Sequence, residues 1–466
     1  MTGRRAFLKR TALAGGGLAA GTAGLNWLGP RIWSEPLVLE PNRSHWALSQ
    51  PLANPPLARD IDADVAIVGG GFTGLSTAYY LRRNPGAGRV VVLEARGCGN
   101  GASGRNGGML LTMTADRFMQ FGADPALDKR IYDLTVDNIR RLRALGAEVG
   151  IDCELETGGA LQVFGSRADQ DAGRAYVEKA RGLEMPVEYW DRQRTAAALG
   201  TSAYAGAFFD PGCGQVHPMK LVRVLKTAAE TAGAEIYENT KVTAIEEGDV
   251  VRVHTANGPA VRARALVLAA NAYSSKLGYF RNAIVPVFNH VGITSPLDAA
   301  TLGRVGWGCR LPFSDSRTLV TYLGLTPDNR IHIGGGSAEY FFGDGLQDRT
   351  QAGSVERRLQ AELGRIFPAL VEAGVGIASV WSGVVDCSLD FSPSVGRLGE
   401  NVYYGIGYSG HGVNLTSLFG RIIADVHAGQ EARWRDLPFL NRALPYIPNE
   451  PLRWLGARAA LAAYAL

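Results

Sequence analysis

Residues 64–94 hold a strand, a glycine turn, a helix, a second strand and an acid in fixed order, and few folds can use that combination. Residues 64–68 (DVAIV) form a short apolar run rich in β-branched side chains, the pattern of a buried strand. Gly69-Gly70-Gly71-Phe72-Thr73-Gly74 follows at once, and residues 75–82 have helical spacing. Residues 89–93 (RVVVL) give the next strand, which ends at Glu94 and Ala95. In such a unit Gly69 allows the tight turn, Gly71 lets a pyrophosphate approach the backbone, and Gly74 lets helix and strand pack closely. The start of the helix, at Phe72 and Thr73, offers unpaired N–H groups and partial positive charge to phosphates. Glu94 follows Gly71 by 23 residues, against about 20 for the carboxylate that binds ribose hydroxyls. The order predicts a Rossmann-like dinucleotide site, and the acid favours an unphosphorylated ribose, hence FAD or NAD over NADP.

The next stretch favours a flavin. Residues 95–108 read ARGCGNGASGRNGG, a second glycine-dense loop directly after the ribose acid. Small residues there suit backbone lying against a flat ring system, which a nicotinamide does not require. Ser103, Arg105, Asn106, Gly107 and Gly108 are therefore cofactor-binding candidates, with Arg105 either binding phosphate or capping the loop.

Composition bounds the rest. The chain has 466 residues, 46% of them hydrophobic, which is too apolar for a disordered polypeptide. Its 59 glycines follow no Gly-X-Y period, so collagen is excluded. The net charge is +4, yet residues 1–33 hold five basic residues and no acid, leaving a near-neutral body that argues against nucleic acid as a partner. The five cysteines form no CxxC pair, and no metal site is predicted. Residues 4–9 (RRAFLK) resemble a twin-arginine export signal, and residues 11–30 carry no charge. This weakly hydrophobic, Gly/Ala-rich stretch predicts export to the periplasm, with cleavage and membrane association through an uncleaved N-terminus both open. Residues 34–59 are Pro-rich and read as a linker arm.

Four further stretches resemble, in order, segments of the glycine oxidase/D-amino-acid oxidase flavoprotein superfamily, and GASGRNGG resembles its γ-glutamylputrescine oxidoreductase branch. They are residues 214–220 (GQVHPMK), 240–245 (TKVTAI), 266–274 (LVLAANAYS) and 403–412 (YYGIGYSGHG). The resemblance places Val242 beside the adenine, Ala270 in the turn beneath the cofactor, and Gly407, Gly410, Gly412, Val413 and Asn414 at the last flavin contact. It implies noncovalent FAD, with backbone N–H groups around residues 411–414 facing the flavin. A helix N-terminus there stabilises the negative charge of the reduced ring. The implied fold is α/β: a discontinuous FAD-binding domain (60–145, 205–280 and 365–430), a substrate domain on a large antiparallel sheet (146–204 and 281–364), and a C-terminal helical tail (431–466). Residues 284–294, 319–323 and 330–334 read independently as strands, and 352–367 and 451–466 as helices.

The implied reaction is oxidation of a small-molecule amine, with oxygen or a quinone taking the electrons. The alternatives are a flavoprotein that modifies a partner polypeptide and an amino-acid dehydrogenase or deaminase feeding a membrane quinone. His411 and Tyr408, which flank the last glycine turn, are the catalytic candidates. His217, before Pro218, reads as a helix-start residue, and His290 fits either the core or the substrate. Two departures from the family bear on the substrate. Leu323 or Gly324 stands where relatives often carry Arg, and Cys387 stands in or near the place of a carboxylate-binding Lys. Both disfavour simple α-amino acids. Arg310 and Arg317 are the alternative cations, expected at the surface.

Overall fold

Two eight-stranded sheets carry the fold in a computed structural model that describes residues 37, 39–47, 53–84, 86–117 and 120–464. The leader and part of the linker arm lie outside the described residues. In the first sheet the strand Ile61–Val68 pairs in parallel with Val90–Leu93 on one side and Ala260–Leu268 on the other. Glu235–Tyr237 extends one edge and Val402–Ile406 the other, also in parallel, and Ser394–Leu398 adds an antiparallel border. The central strands are buried on both faces, which explains their unbroken Val/Ile/Leu runs. Register aligns Val68 with Leu93 and with Leu268, and Leu268 with Tyr404. The glycine turn, Glu94, Ala269–Ala270 and the turn after Ile406 therefore leave the sheet at one common edge, the carboxyl ends where such sheets bind ligands. The helices Phe72–Arg83 and Gly412–His427 pack against each other on one face.

The second sheet runs Ile377–Cys387, Val285–Thr294, Ile331–Gly335, Thr321–Leu325, Phe313–Asp315, Ala160–Phe164, Gly206–Asp210 and Glu188–Trp190. It is antiparallel except where Phe313–Asp315 meets Ala160–Phe164. Helix Ala352–Ile366 backs it with Val355, Leu359, Leu363 and Ile366, one apolar stripe at helical spacing.

Two expected cofactor-domain segments begin too early. Gly206–Asp210 and Ile377–Cys387 lie in the second sheet, not the first. The latter pairs along its length with Val285–Thr294, from Val285↔Cys387 to Gly292↔Val380. The chain passes to the first sheet only at the turn before Ser394. The C-terminal helix forms over Leu452–Tyr464. Among the described residues no helix is long and apolar enough to cross a membrane, and no group of His, Cys, Asp and Glu is arranged to hold a metal.

Candidate flavin site and substrate cavity

The glycine turn is built by close approach. A Cβ on Gly74 would stand 1.9 Å from the Gly69 carbonyl oxygen, and Gly69 itself, at φ +111°, passes tightly over the Ala269 carbonyl. A Cβ on Gly71 would meet only the Ser103 side chain, so this glycine faces a groove rather than packed protein. The Phe72 N–H, in the first turn of the helix, donates to Ser103 Oγ at 3.0 Å. Glu94 closes the end of its strand: Oε2 accepts from the Gly70 N–H at 2.8 Å and Oε1 from the Arg96 N–H at 2.9 Å. Burial raises its pKa against those two hydrogen bonds. The Glu94 carbonyl accepts from the Thr240 N–H at 2.8 Å, which brings buried Val242 alongside Leu93 in one apolar cluster. Ala270 starts the short helix Asn271–Leu277 at the same sheet edge.

The loop after Glu94 is self-bracing. Asn106 Nδ2 donates to the Ala102 and Ser103 carbonyls, and its Oδ1 accepts from the Gly108 N–H. The Arg105 guanidinium is engaged by the protein itself. It donates to the carbonyls of Asn100, Ser382, Glu40 and Pro41, the geometry of a loop cap. The arm 39–47, read as a linker, is part of this brace. Asn42 Nδ2 and Ser44 Oγ both donate to the Gly104 carbonyl, and the Trp46 indole donates to the Asn106 carbonyl at 2.8 Å. Glycines 107 and 108 complete the loop, Gly108 through the Val216 N–H. A glycine groove, a helix N-terminus and a strand-end carboxylate together fit the pyrophosphate and ribose of FAD.

Beyond the groove opens a cavity of about 1060 Å³. Arg105, Asn106 and Gly107 line one end of it, with Ser409, Gly410, His411 and Val413. His411 is the residue before helix Gly412–His427, so the first N–H groups of that helix, at Gly412, Val413 and Asn414, start at the cavity. The Asn414 side chain is used elsewhere, donating to the carbonyls of Leu111 and Thr135. Tyr408 is not a cavity residue. Its phenol is buried in the core, 2.8 Å from Thr73 Oγ1, and its ring packs on Phe419. Tyr408 therefore positions the turn instead of touching substrate.

The turn Gly407–Gly410 has a support that its own sequence does not announce. Asp386, 1% exposed, accepts the Gly407 N–H on Oδ2 at 2.6 Å, and its carbonyl accepts the Ser409 N–H. Burial pushes this carboxyl up to about 7. The visible signal is one acid in the apolar run Val384-Val385-Asp386-Cys387. Strand alternation turns Gly383, Val385 and Cys387 toward the cavity. Burial drives the Cys387 thiol up to about 12, so it stays neutral.

The remaining candidates lie away from the reaction space. His217 caps helix Pro218–Thr231, its Nδ1 accepting from the Lys220 N–H at 3.3 Å. His290 pairs with Asp348 at 3.1 Å, while its neighbour Asn289 is the one that lines the cavity. Arg310 donates to Asn329 and the Thr326 carbonyl, and Arg317 pairs with Asp315 and Glu362. All five cysteines are free thiols.

This two-sheet fold, with a glycine groove at the parallel sheet's carboxyl edge and a cavity against the second sheet, is that of a flavin oxidoreductase. Residues 64–426 match the family described as FAD dependent oxidoreductase (DAO), and the chain belongs to it. Among its relatives, the gamma-glutamylputrescine oxidoreductase of Escherichia coli is 33% identical over 84% of this chain and 89% of its own length. A probable oxidoreductase, OrdL, of Haemophilus influenzae is 29% identical over 81% of this chain and 86% of its own. Among solved structures, the glycine oxidase of Geobacillus kaustophilus superposes with a TM-score of 0.68 at 24% identity, over 79% of this chain and 95% of that one.

Proposed function

We propose that this protein is an exported, FAD-dependent amine oxidoreductase whose substrate carries no carboxylate next to the reacting carbon. FAD, when bound, would supply the redox chemistry as acceptor of a hydride from the carbon that bears nitrogen, so that a neutral amine becomes a protonated imine open to hydrolysis. The chain's own residues bind, orient and exclude water. The helix start at Gly412–Asn414 presents N–H groups where negative charge develops. His411 is the imidazole of the described cavity lining and takes the proton that a neutral amine requires. The FAD is held noncovalently, and electrons pass on to oxygen or a quinone.

One observation carries the substrate reading. Among the described residues the cavity lining holds two cations, Arg105 and Arg453, and both are engaged by protein groups. Cys387, neutral in the cavity wall, cannot replace them as a carboxylate partner. Cys387→Lys should add one charge-assisted contact, worth about 1.5–3 kcal/mol. Preference in kcat/KM should then move toward α-amino or N-methyl amino acids by about 10- to 100-fold. An unchanged ratio would place the carboxylate site elsewhere.

The arginine pair at Arg4-Arg5 supports export. Changing both to Lys should strand folded, FAD-loaded protein in the cytoplasm, and cell fractionation reads the result. Equal periplasmic recovery of wild type and double variant would rule out the twin-arginine route. N-terminal sequencing of the exported form decides between cleavage and membrane association.

A further inference from the structure

The last helix is the cavity's outer wall. Leu452, Gly456, Ala457, Ala460, Leu461 and Tyr464 line the cavity, a single face at helical spacing. Leu455, Arg458, Ala459, Ala462 and Ala463 point to solvent. The helix is bolted to the body at its start. Arg453 pairs with Asp344 at 2.6 Å and donates to the Pro448 carbonyl, while Glu450 Oε1 accepts from Tyr340 and from the Gly343 N–H. At its far end Tyr464 meets Phe391 across the cavity, ring centroids 6.5 Å apart. None of the apolar residues of this helix belongs to a hydrophobic core of the described residues. Trp454 packs edge-on against Phe342 of the body, ring centroids 6.4 Å apart, and the apolar face formed by Leu452, Ala457, Ala460, Leu461 and Tyr464 serves the cavity.

The opposite wall has the same character, with Val285, Val287, Val385, Leu389 and Phe391. Among the described lining residues there is no Asp, Glu or Lys. A second ammonium on the substrate would meet no acid there, and of the two lining cations Arg453 is neutralised by Asp344 and Arg105 is held by backbone carbonyls, so a distal carboxylate would meet neither as a free partner. A charge carried into such a space without a partner is costly, whereas each buried methylene is favourable.

We propose that helix Leu452–Tyr464 selects the substrate, and that the cavity takes a monoamine with an apolar aliphatic or aromatic body lying along this helix. The proposal rests on the amine-oxidation reading for the chemistry, but the wall's preference is measurable by binding alone. The probes are hexylamine, 1,6-diaminohexane and 6-aminohexanoate, equal in chain length and different only at the far end. Each is titrated anaerobically into the full-length holoprotein, reading both the perturbation of the flavin spectrum and its bleaching. Hexylamine should bind at least tenfold more tightly than the other two, and affinity should rise about fourfold per methylene from butylamine to hexylamine. Ala460→Asp should reverse the order of hexylamine and 1,6-diaminohexane without loss of FAD, and Leu461→Ala should weaken hexylamine alone. Equal or tighter binding of either doubly functional probe by the wild type, no binding of any probe, or an Ala460→Asp variant with the wild-type order would overturn the proposal. The predicted binding order without bleaching by any amine would leave the wall standing and remove the amine-oxidation reading. Bleaching without the order would do the reverse.

Discussion

Gly74→Ala should give a protein that is poorly folded and free of FAD, while Gly71→Ala should fold and lose FAD affinity alone. The two glycines stand three residues apart in one motif, but their surroundings differ. The Cβ on position 74 would lie 1.9 Å from the Gly69 carbonyl oxygen and 3.1 Å from its carbon. That oxygen belongs to the tightest part of the turn, between the strand Ile61–Val68 and the helix Phe72–Arg83, and has nowhere to move. Overpacking with flexible neighbours costs about 1–3 kcal/mol, and a backbone obstacle should put this variant at or beyond the upper end. At position 71 the Cβ would meet a serine hydroxyl, which can rotate, and would then occupy the phosphate groove. Denaturant midpoints and flavin absorbance separate the two outcomes. A Gly74→Ala protein with wild-type midpoint and full FAD content would mean that helix and strand do not approach as described.

Asp386→Asn should produce the largest change in pH dependence. Asparagine keeps an acceptor for the Gly407 N–H while removing the charge. With the folded carboxyl pushed up to about 7 by burial, and about 3.9 in the unfolded chain, the unfolded state binds fewer protons between those values. Wild-type stability relative to Asp386→Asn is thus greatest below pH ~4, falls as pH rises, and levels off above pH ~7. Three pKa units correspond to a relative loss of about 4 kcal/mol. Asp386→Ala should lack this pH dependence but leave the Gly407 N–H without its partner, costing about 1–3 kcal/mol relative to the asparagine variant. Urea unfolding of wild type and both variants at pH 5 and pH 8 checks the sign. Parallel pH profiles for wild type and Asp386→Asn would show that the carboxyl is not confined as the geometry requires.

The parts of the site that sequence discloses are those in which backbone must pass close to something. Glycine spacing marks Gly69 and Gly74 because a Cβ is forbidden there, and the distance from Gly71 to Glu94 marks the strand-end carboxylate because one helix and one strand must fit between. Side-chain direction is a different matter. Tyr408 sits between Gly407 and Ser409 at the edge of the cavity, but Gly407 at φ +77° and Ser409 at φ +50° turn the chain so that the phenol enters the core. Arg105 stands in the flavin loop, yet its donors are claimed by carbonyls from residues 40, 41, 100 and 382, and most of these lie far away in sequence. The arm 39–47 has linker composition because its work is done by single side chains, Asn42, Ser44 and Trp46, which leave no periodicity. The boundaries misplaced at 205 and 365 share one cause: strands Gly206–Asp210 and Ile377–Cys387 join the second sheet before the chain returns to the first, and no change of composition marks the crossing. Cys387 was legible only through the resemblance, by its distance before the turn Gly407–Gly410, and the strand Ile377–Cys387 that turns it to the cavity with Val385 and Gly383 left no mark of its own in the sequence reading.

The reaction proposed for this family member is oxidation of amines that lack a neighbouring carboxylate. The direct measurement is anaerobic bleaching of the bound flavin of the purified protein by matched pairs, each amine against its α-carboxylated counterpart. The uncarboxylated member should bleach the flavin faster in every pair, with the rate rising as pH approaches the amine pKa, because the neutral amine is the form that yields hydride. Faster bleaching by the carboxylated members across the panel would overturn that reaction, since it requires a cation in the cavity free to bind them.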